Sequence, residues 1–109
     1  MSFDPEVIRT LSPILMADVA NYGQLMGDDE PQTVRTLQAY RPIFVRQIES
    51  RRGRVLDAKG DAVMAAFNST VDAVAGSVAI QQEIAEQNEA LPEYRRMRLR
   101  GGVNPIGSS

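Results

Sequence analysis

The sequence predicts an α+β fold in which a four-stranded antiparallel sheet carries its helices on one face. Three observations lead there. Four short apolar stretches have strand character, two long segments repeat apolar residues at helical spacing, and their order is strand, helix, strand, strand, helix, strand. At 109 residues the chain is one domain at most. Its 43% apolar and 24% charged residues are those of an ordinary soluble globular protein.

Leu11 to Ala20 reads as a buried strand, with Pro13 tolerable only near its start because proline cannot donate to a ladder. Asn21-Tyr22-Gly23 then turns the chain toward a helix. The apolar pair Leu25 and Met26 follows, and then the polar break from Gly27 to Pro31. Acids followed by proline suit a helix start, where the dipole favours negative charge, so Asp28, Asp29 and Glu30 are assigned to that role. From Pro31 to about Arg52, the spacing of Val34, Leu37, Phe44, Val45 and Ile48 predicts an amphipathic helix. Pro42 is expected to kink or split it, and Arg51, Arg52 and Gly53 to end it.

Residues 54–57 and 62–67 flank Lys59-Gly60-Asp61 as the two arms of a hairpin. Ser69 and Asp72 have the form of a capping box that opens a second helix. Val71, Val74, Val78, Ile80 and Ile84 supply its apolar surface as far as about Ala90. Met97-Arg98-Leu99-Arg100 alternates as a fourth strand would, and Arg95, Arg96, Arg98 and Arg100 are expected to be solvated arginines on its edge.

This order is the ferredoxin-like βαββαβ arrangement. In it the third strand runs antiparallel beside the first, so the end of strand one shares a sheet rim with the turn between strands two and three. Asp18 ends strand one and Asp61 lies in that turn, so the two should meet. Converging carboxylates repel unless a cation lies between them. The chain has no Cys and no His, so such a cation must be a hard, oxygen-liganded ion such as Mg²⁺ or Mn²⁺, with phosphate oxygens completing its shell. Backbone N–H groups around Asn21, Tyr22 and Gly23 suit those phosphates. On the residues alone, a turn aspartate at 61 and a helix-capping aspartate at 18 remain the alternative.

Other function classes are excluded by composition. Without Cys or His there are no disulfides, ordinary structural zinc sites, thiol nucleophiles or histidine acid–base catalysis. A formal net charge of -2 recruits neither nucleic acid nor an anionic membrane. No apolar run approaches a membrane span, and MSFDPEVIRT lacks the basic-then-apolar pattern of a signal peptide, so the expected location is the cytoplasm.

The strings ILMADVANYGQLMGDDE, RGRVLDAKGDAVMAAFNSTVDAV and AIQQEIAEQNEALPEYRRMRLRGGVN resemble the bacterial class III adenylate/guanylate cyclase catalytic domain. The likeness runs from about Leu11 to Asn104. Its most specific parts are Asp18-Val19 followed by Tyr22, and Gly60-Asp61 at the hairpin turn. The resemblance implies that Asp18 and Asp61 bind a pair of Mg²⁺ or Mn²⁺ ions, assisted by the Val19 carbonyl. It implies that residues 21–23 cradle the phosphates of ATP or GTP, and that a dimer with another cyclase domain builds the site. The reaction would be attack of the ribose 3′-oxygen on the α-phosphate, with pyrophosphate expelled, in intracellular signalling.

Several positions depart from the family pattern. Asn21 stands where glycine is usual, Gly23 where a hydroxyl residue is usual, and Asp57 at the purine-selecting position often held by lysine. Asn tolerates the left-handed backbone that glycine supplies, and an acid suits the donor edge of guanine. Lys59 lies two residues off register and reads as a turn lysine. Gly101 replaces an apolar residue of the fourth strand, and the family's later strands and its transition-state asparagine–arginine pair have no counterpart here. The expectation is an N-terminal arm at 1–10, a C-terminally truncated cyclase domain at 11–104 and an atypical tail at 105–109. Such a chain retains the metal and phosphate half of a site but no confidently assigned catalytic residue, and is expected to be inactive alone. The second reading is a non-catalytic dimerisation or regulatory module.

Overall fold

A computed structural model describes residues 12–104; Leu11, the arm assigned to 1–10 and the tail at 105–109 lie outside the described residues. Strands β1 (Ile14–Val19), β2 (Arg54–Lys59), β3 (Ala62–Ala66) and β4 (Leu99–Asn104) form one sheet in the order β2-β3-β1-β4. Every neighbouring pair is antiparallel, as the βαββαβ order requires. Three helices accompany the sheet: α1 (Tyr22–Asp28), α2 (Glu30–Ser50) and α3 (Thr70–Asn88). The Leu25-Met26 segment is thus a separate short helix that buries Leu25.

Side chains alternate across the sheet. Leu15, Val19, Val63 and Ala65 are buried on the helix-covered face, with Ala17, Val55, Ala58, Leu99 and Val103 packed against that core. The register puts Met16 opposite Met64 and Asp18 opposite Arg100, so these four share the other, open face.

Local signals explain most element boundaries. Asp29 caps α2, its carboxylate accepting from the Gln32 N–H at 3.1 Å, and Ser69 caps α3 by accepting from the Asp72 N–H at 3.1 Å. α2 runs through Pro42 as one helix and is not split there. Pro42 and Gln38 are both exposed, so the Gln38 carbonyl that loses its partner can bond water instead.

The buried helix faces also differ from expectation. In α2, Thr33, Thr36, Leu37, Tyr40, Ile43, Phe44 and Ile48 are buried, while Val34 is exposed. In α3 the core is Ala73, Gly76, Ile80 and Ile84, and Val71, Val74 and Val78 point outward. Small residues face inward because α3 lies close over Phe67, whose ring tip would meet a Cβ on Gly76 at 3.1 Å.

α2 ends on a left-handed residue, but that residue is Arg52 (φ 63°), not Gly53. Gly53 serves packing instead: a Cβ there would lie 2.7 Å from Phe67 Cε1 and 2.8 Å from Ile48 Cγ2. Phe67 and Ile48 are both fully buried and cannot retreat. Gly53→Ala is therefore expected to destabilise the fold by about 1–3 kcal/mol, the usual range for overpacking, measured by urea unfolding.

Arg95 is a further correction. It lies in a 3₁₀ turn (Glu93–Arg95) before β4, is 7% exposed, and does not project from a strand edge. Its guanidinium donates to Thr33 Oγ1 at 2.6 Å, Leu25 O at 3.2 Å and Asp29 O at 3.3 Å. The cation therefore sits at the C-terminal end of α1, where the helix dipole favours it. Arg96 Nε donates to Leu91 O at 3.0 Å, closing the same turn.

On the outer surface, Glu83 of α3 accepts hydrogen bonds from Arg46 and Gln47 of α2. Those two bonds, with the Arg46 charge adding less, hold the Glu83 carboxyl below its ordinary pKa.

Candidate metal and nucleotide site

The rim at the C-terminal end of β1 gathers the acids. Pairing of Ala17 with Val63 brings the β2–β3 turn alongside β1, and Gly60 (φ 56°) makes that turn possible. Asp61 follows it, and its Oδ2 accepts from the Val19 N–H at 3.1 Å. The Asp61 carboxylate thus hydrogen-bonds the backbone immediately after Asp18.

Asp18 itself faces the open side. Arg100, its cross-strand neighbour, donates Nε to Oδ1 at 3.0 Å and an Nη2 hydrogen to Oδ2 at 3.1 Å. This bidentate fork raises the Arg100 pKa above its usual value, through the hydrogen bonding first and then the Asp18 charge, with Asp61 adding a smaller pull. One guanidinium therefore responds to both acids. Sequence reading missed the pairing, although the strand order and the position of an arginine opposite Asp18 could have given it.

Asp57 reaches the same face through a β-bulge. Val55 pairs with Ala65 and Asp57 with Met64, so Leu56 is an extra residue on β2. Val55 and Ala58 consequently both pack inward, and Asp57 and Lys59 both look onto the open face. Met16, Asp18, Asp57, Lys59, Met64 and Arg100 help line a groove of about 290 Å³ there.

Residues 21–23 lie where β1 turns into α1, as expected. Asn21 precedes α1 with φ -102° and ψ 24°, so it does not use the left-handed backbone. Its side chain instead clasps the chain leading into β4: Nδ2 donates to Arg96 O at 2.9 Å and Oδ1 accepts from the Arg98 N–H at 3.0 Å. The Asn21 amide is therefore committed to holding the start of α1. Tyr22 is half-buried and packs against the core. Gly23 is exposed, with nothing within 4 Å of a Cβ built on it.

Gly101 fits its position for a local reason. It faces the helices, and a Cβ there would lie 2.7 Å from Met16 O. The close approach of β4 to β1 at this point explains the absence of the expected apolar side chain.

Among the described residues no three acidic side chains gather into a cation cage. The donor set nevertheless fits a hard cation. Mg²⁺ characteristically takes one or two carboxylates from the protein and fills its shell with water and substrate phosphate. Asp18 and Asp61 provide two carboxylates at one rim.

The chain is 40% identical over 97 residues to "Putative adenylate cyclase 3" of Rhizobium meliloti (strain 1021), covering 88% of this chain and 16% of that protein. A solved adenylate/guanylate cyclase/hydrolase from Silicibacter pomeroyi superposes with a TM-score of 0.75 at 29% identity, over 85% of this chain and 55% of that one. The guanylyl cyclase Cya2 shares the fold, with a TM-score of 0.74 at 20% identity over 84% of this chain and 52% of the other. No protein-family model matches. The chain thus spans a sixth of its curated relative and about half of these structures. The α+β architecture, the strand order and the sequence likeness agree: the chain belongs to the class III adenylate/guanylate cyclase domain family.

Proposed function

We propose that residues 12–104 form the metal- and triphosphate-holding half of a nucleotidyl cyclase site that converts ATP or GTP to a cyclic nucleotide and pyrophosphate. The observation that supports this reading is the hydrogen bond from the Val19 N–H to the Asp61 carboxylate, one residue along the chain from Asp18. In this reading Asp18, Asp61 and the Val19 carbonyl hold Mg²⁺ or Mn²⁺. Bound metal would supply Lewis acidity, making the ribose 3′-hydroxyl a better nucleophile and neutralising phosphate charge.

The rest falls to the chain's own residues. Backbone N–H groups at the start of α1 orient phosphate oxygens, because the first N–H groups of a helix lack intrahelical partners. Asn21 fixes the position of that turn through Arg96 and Arg98. Asp57 presents an acceptor to the purine, which favours a donor edge such as that of guanine. The groove, about 290 Å³, is at the small end for small-molecule sites, which suits a site completed by a second cyclase domain across the open face. In this reading the chain works as a homodimer or paired with another cyclase domain, in cytoplasmic cyclic-nucleotide signalling.

The test is calorimetric titration of nonhydrolysable ATP and GTP analogues with and without Mn²⁺. Wild-type chain is expected to bind only with metal, and Asp18→Ala to weaken that binding about 100-fold or more, beyond the 10–100-fold typical of an outer-shell change. Metal-independent binding, or binding indifferent to Asp18→Ala, would refute the reading and favour a non-catalytic pairing module.

A further inference from the structure

We propose that Arg100 is a built-in competitor for the metal site, a counter-ion that occupies Asp18 until a divalent cation displaces it. This inference rests on the assignment of Asp18 and Asp61 as metal-holding carboxylates, and it concerns the regulation of that site. Both oxygens of Asp18 are engaged by one guanidinium, at 3.0 and 3.1 Å. A lone pair that accepts an N–H at this distance is not free for Mg²⁺ at its required 2.0–2.1 Å, and a guanidinium seated this close repels a dication, so the two occupants compete for Asp18.

The arrangement is specified by the strand register. Asp18 and Arg100 are directly opposed on neighbouring strands, where side chains of the same face stand within reach. Each residue keeps solvent access, with side-chain exposures of 68% for Arg100 and 35% for Asp18. The pair can therefore open without disturbing the core, and the guanidinium has room to swing away. Lys59 and Arg100 also offset the charges of Asp18 and Asp57 in the groove, which lessens its pull on a bare dication.

The functional consequence is selectivity in time. Free metal binds the rim weakly because it must break a bidentate ion pair and approach a cation. A metal ion arriving with a polyanion brings its own neutralising charge and meets less resistance. Arg100 in this sense is a positioning residue that keeps Asp18 ordered, and neutralised, while metal is absent.

The experiment measures Mn²⁺ alone, by electron paramagnetic resonance of free Mn²⁺ and by calorimetry, on the whole chain at low and high salt. Arg100→Gln is expected to bind Mn²⁺ on the order of tenfold more tightly than wild type, since both the exposed ion pair and a like-charge repulsion are removed. Arg100→Lys retains the charge but lacks the planar fork, and is expected to fall between them. The gap between wild type and Arg100→Gln should narrow as salt rises, because screening weakens both effects. Arg100→Gln binding Mn²⁺ equally or more weakly, while wild type binds, overturns the competitor role and leaves the metal assignment standing. No Mn²⁺ binding by either protein overturns both. Tighter binding by Arg100→Gln that persists in an Asp18→Ala background also overturns the proposal, because the gain would not pass through Asp18.

Discussion

Asp61→Ala is expected to abolish metal-dependent nucleotide binding and to lower the melting temperature, whereas Asp61→Asn is expected to lose binding with little change in stability. The separation follows from the two functions of one carboxylate. Oδ2 accepts the Val19 N–H at 3.1 Å, and Val19 is almost fully buried in the core. Alanine leaves that N–H without its partner, at a cost of roughly 1–2 kcal/mol. For a domain of this size that is about 5–15 °C in melting temperature. An asparagine oxygen can still accept the bond, so the turn and β1 stay together. Neither replacement carries the negative charge with which a carboxylate strengthens its hold on a hard cation. The expected loss of affinity is about 100-fold or more in both variants. Thermal denaturation followed by circular dichroism, beside Mn²⁺-nucleotide calorimetry, checks the two effects independently. Asp61→Asn binding as well as wild type would remove Asp61 from the metal site and leave it a purely structural turn residue.

The placement of Asp61 beside the end of β1 was readable from the sequence because it depends on little. Strand order follows from element order, antiparallel pairing follows from the topology, and Gly60 marks the turn. Caps were readable for the same reason: Asp29 and Ser69 act on N–H groups three residues away, and local chemistry settles them.

What was hidden depends on packing between distant segments. Periodicity gives valine more weight than threonine, yet Thr33 is buried and Val34 exposed, because the Thr33 hydroxyl shares its one hydrogen between the Leu25 and Asp29 carbonyls at the α1–α2 junction. In α3 the inward positions hold Ala73 and Gly76, since the Phe67 ring leaves no space for the valines. Gly53 reads from the sequence as part of the helix stop, but the Ile48 and Phe67 side chains claim the space its missing Cβ would fill. The extra residue at Leu56 carries no mark in its residue type, and only pairing with β3 reveals that it turns Asp57 toward the open face.

Arg95→Ala is expected to be the most destabilising of the single changes considered, by about 2–4 kcal/mol, and Arg95→Met to cost less than half as much. Alanine removes a long side chain from a buried position and leaves a cavity where α1, α2 and the approach to β4 meet. It also removes three charge-assisted hydrogen bonds. The groups left behind are not orphaned, however. Leu25 O still accepts from Thr33 Oγ1 at 2.8 Å and from the Asp29 N–H at 3.0 Å. Asp29 O still accepts from Thr33 Oγ1 at 2.8 Å and the Thr33 N–H at 3.0 Å. Arg95 meanwhile carries its own penalty, since a buried guanidinium gives up hydration and its Nε has no hydrogen-bond partner. Methionine fills most of the volume without that penalty, so the net loss should be small, as in other replacements of buried charge by apolar side chains. Urea unfolding of the two variants tests the balance. If methionine proves as damaging as alanine, the hydrogen bonds rather than the filled volume hold α1 in place. The start of α1, and the turn at residues 21–23 with it, would then depend on a cation two strands and two helices away in sequence.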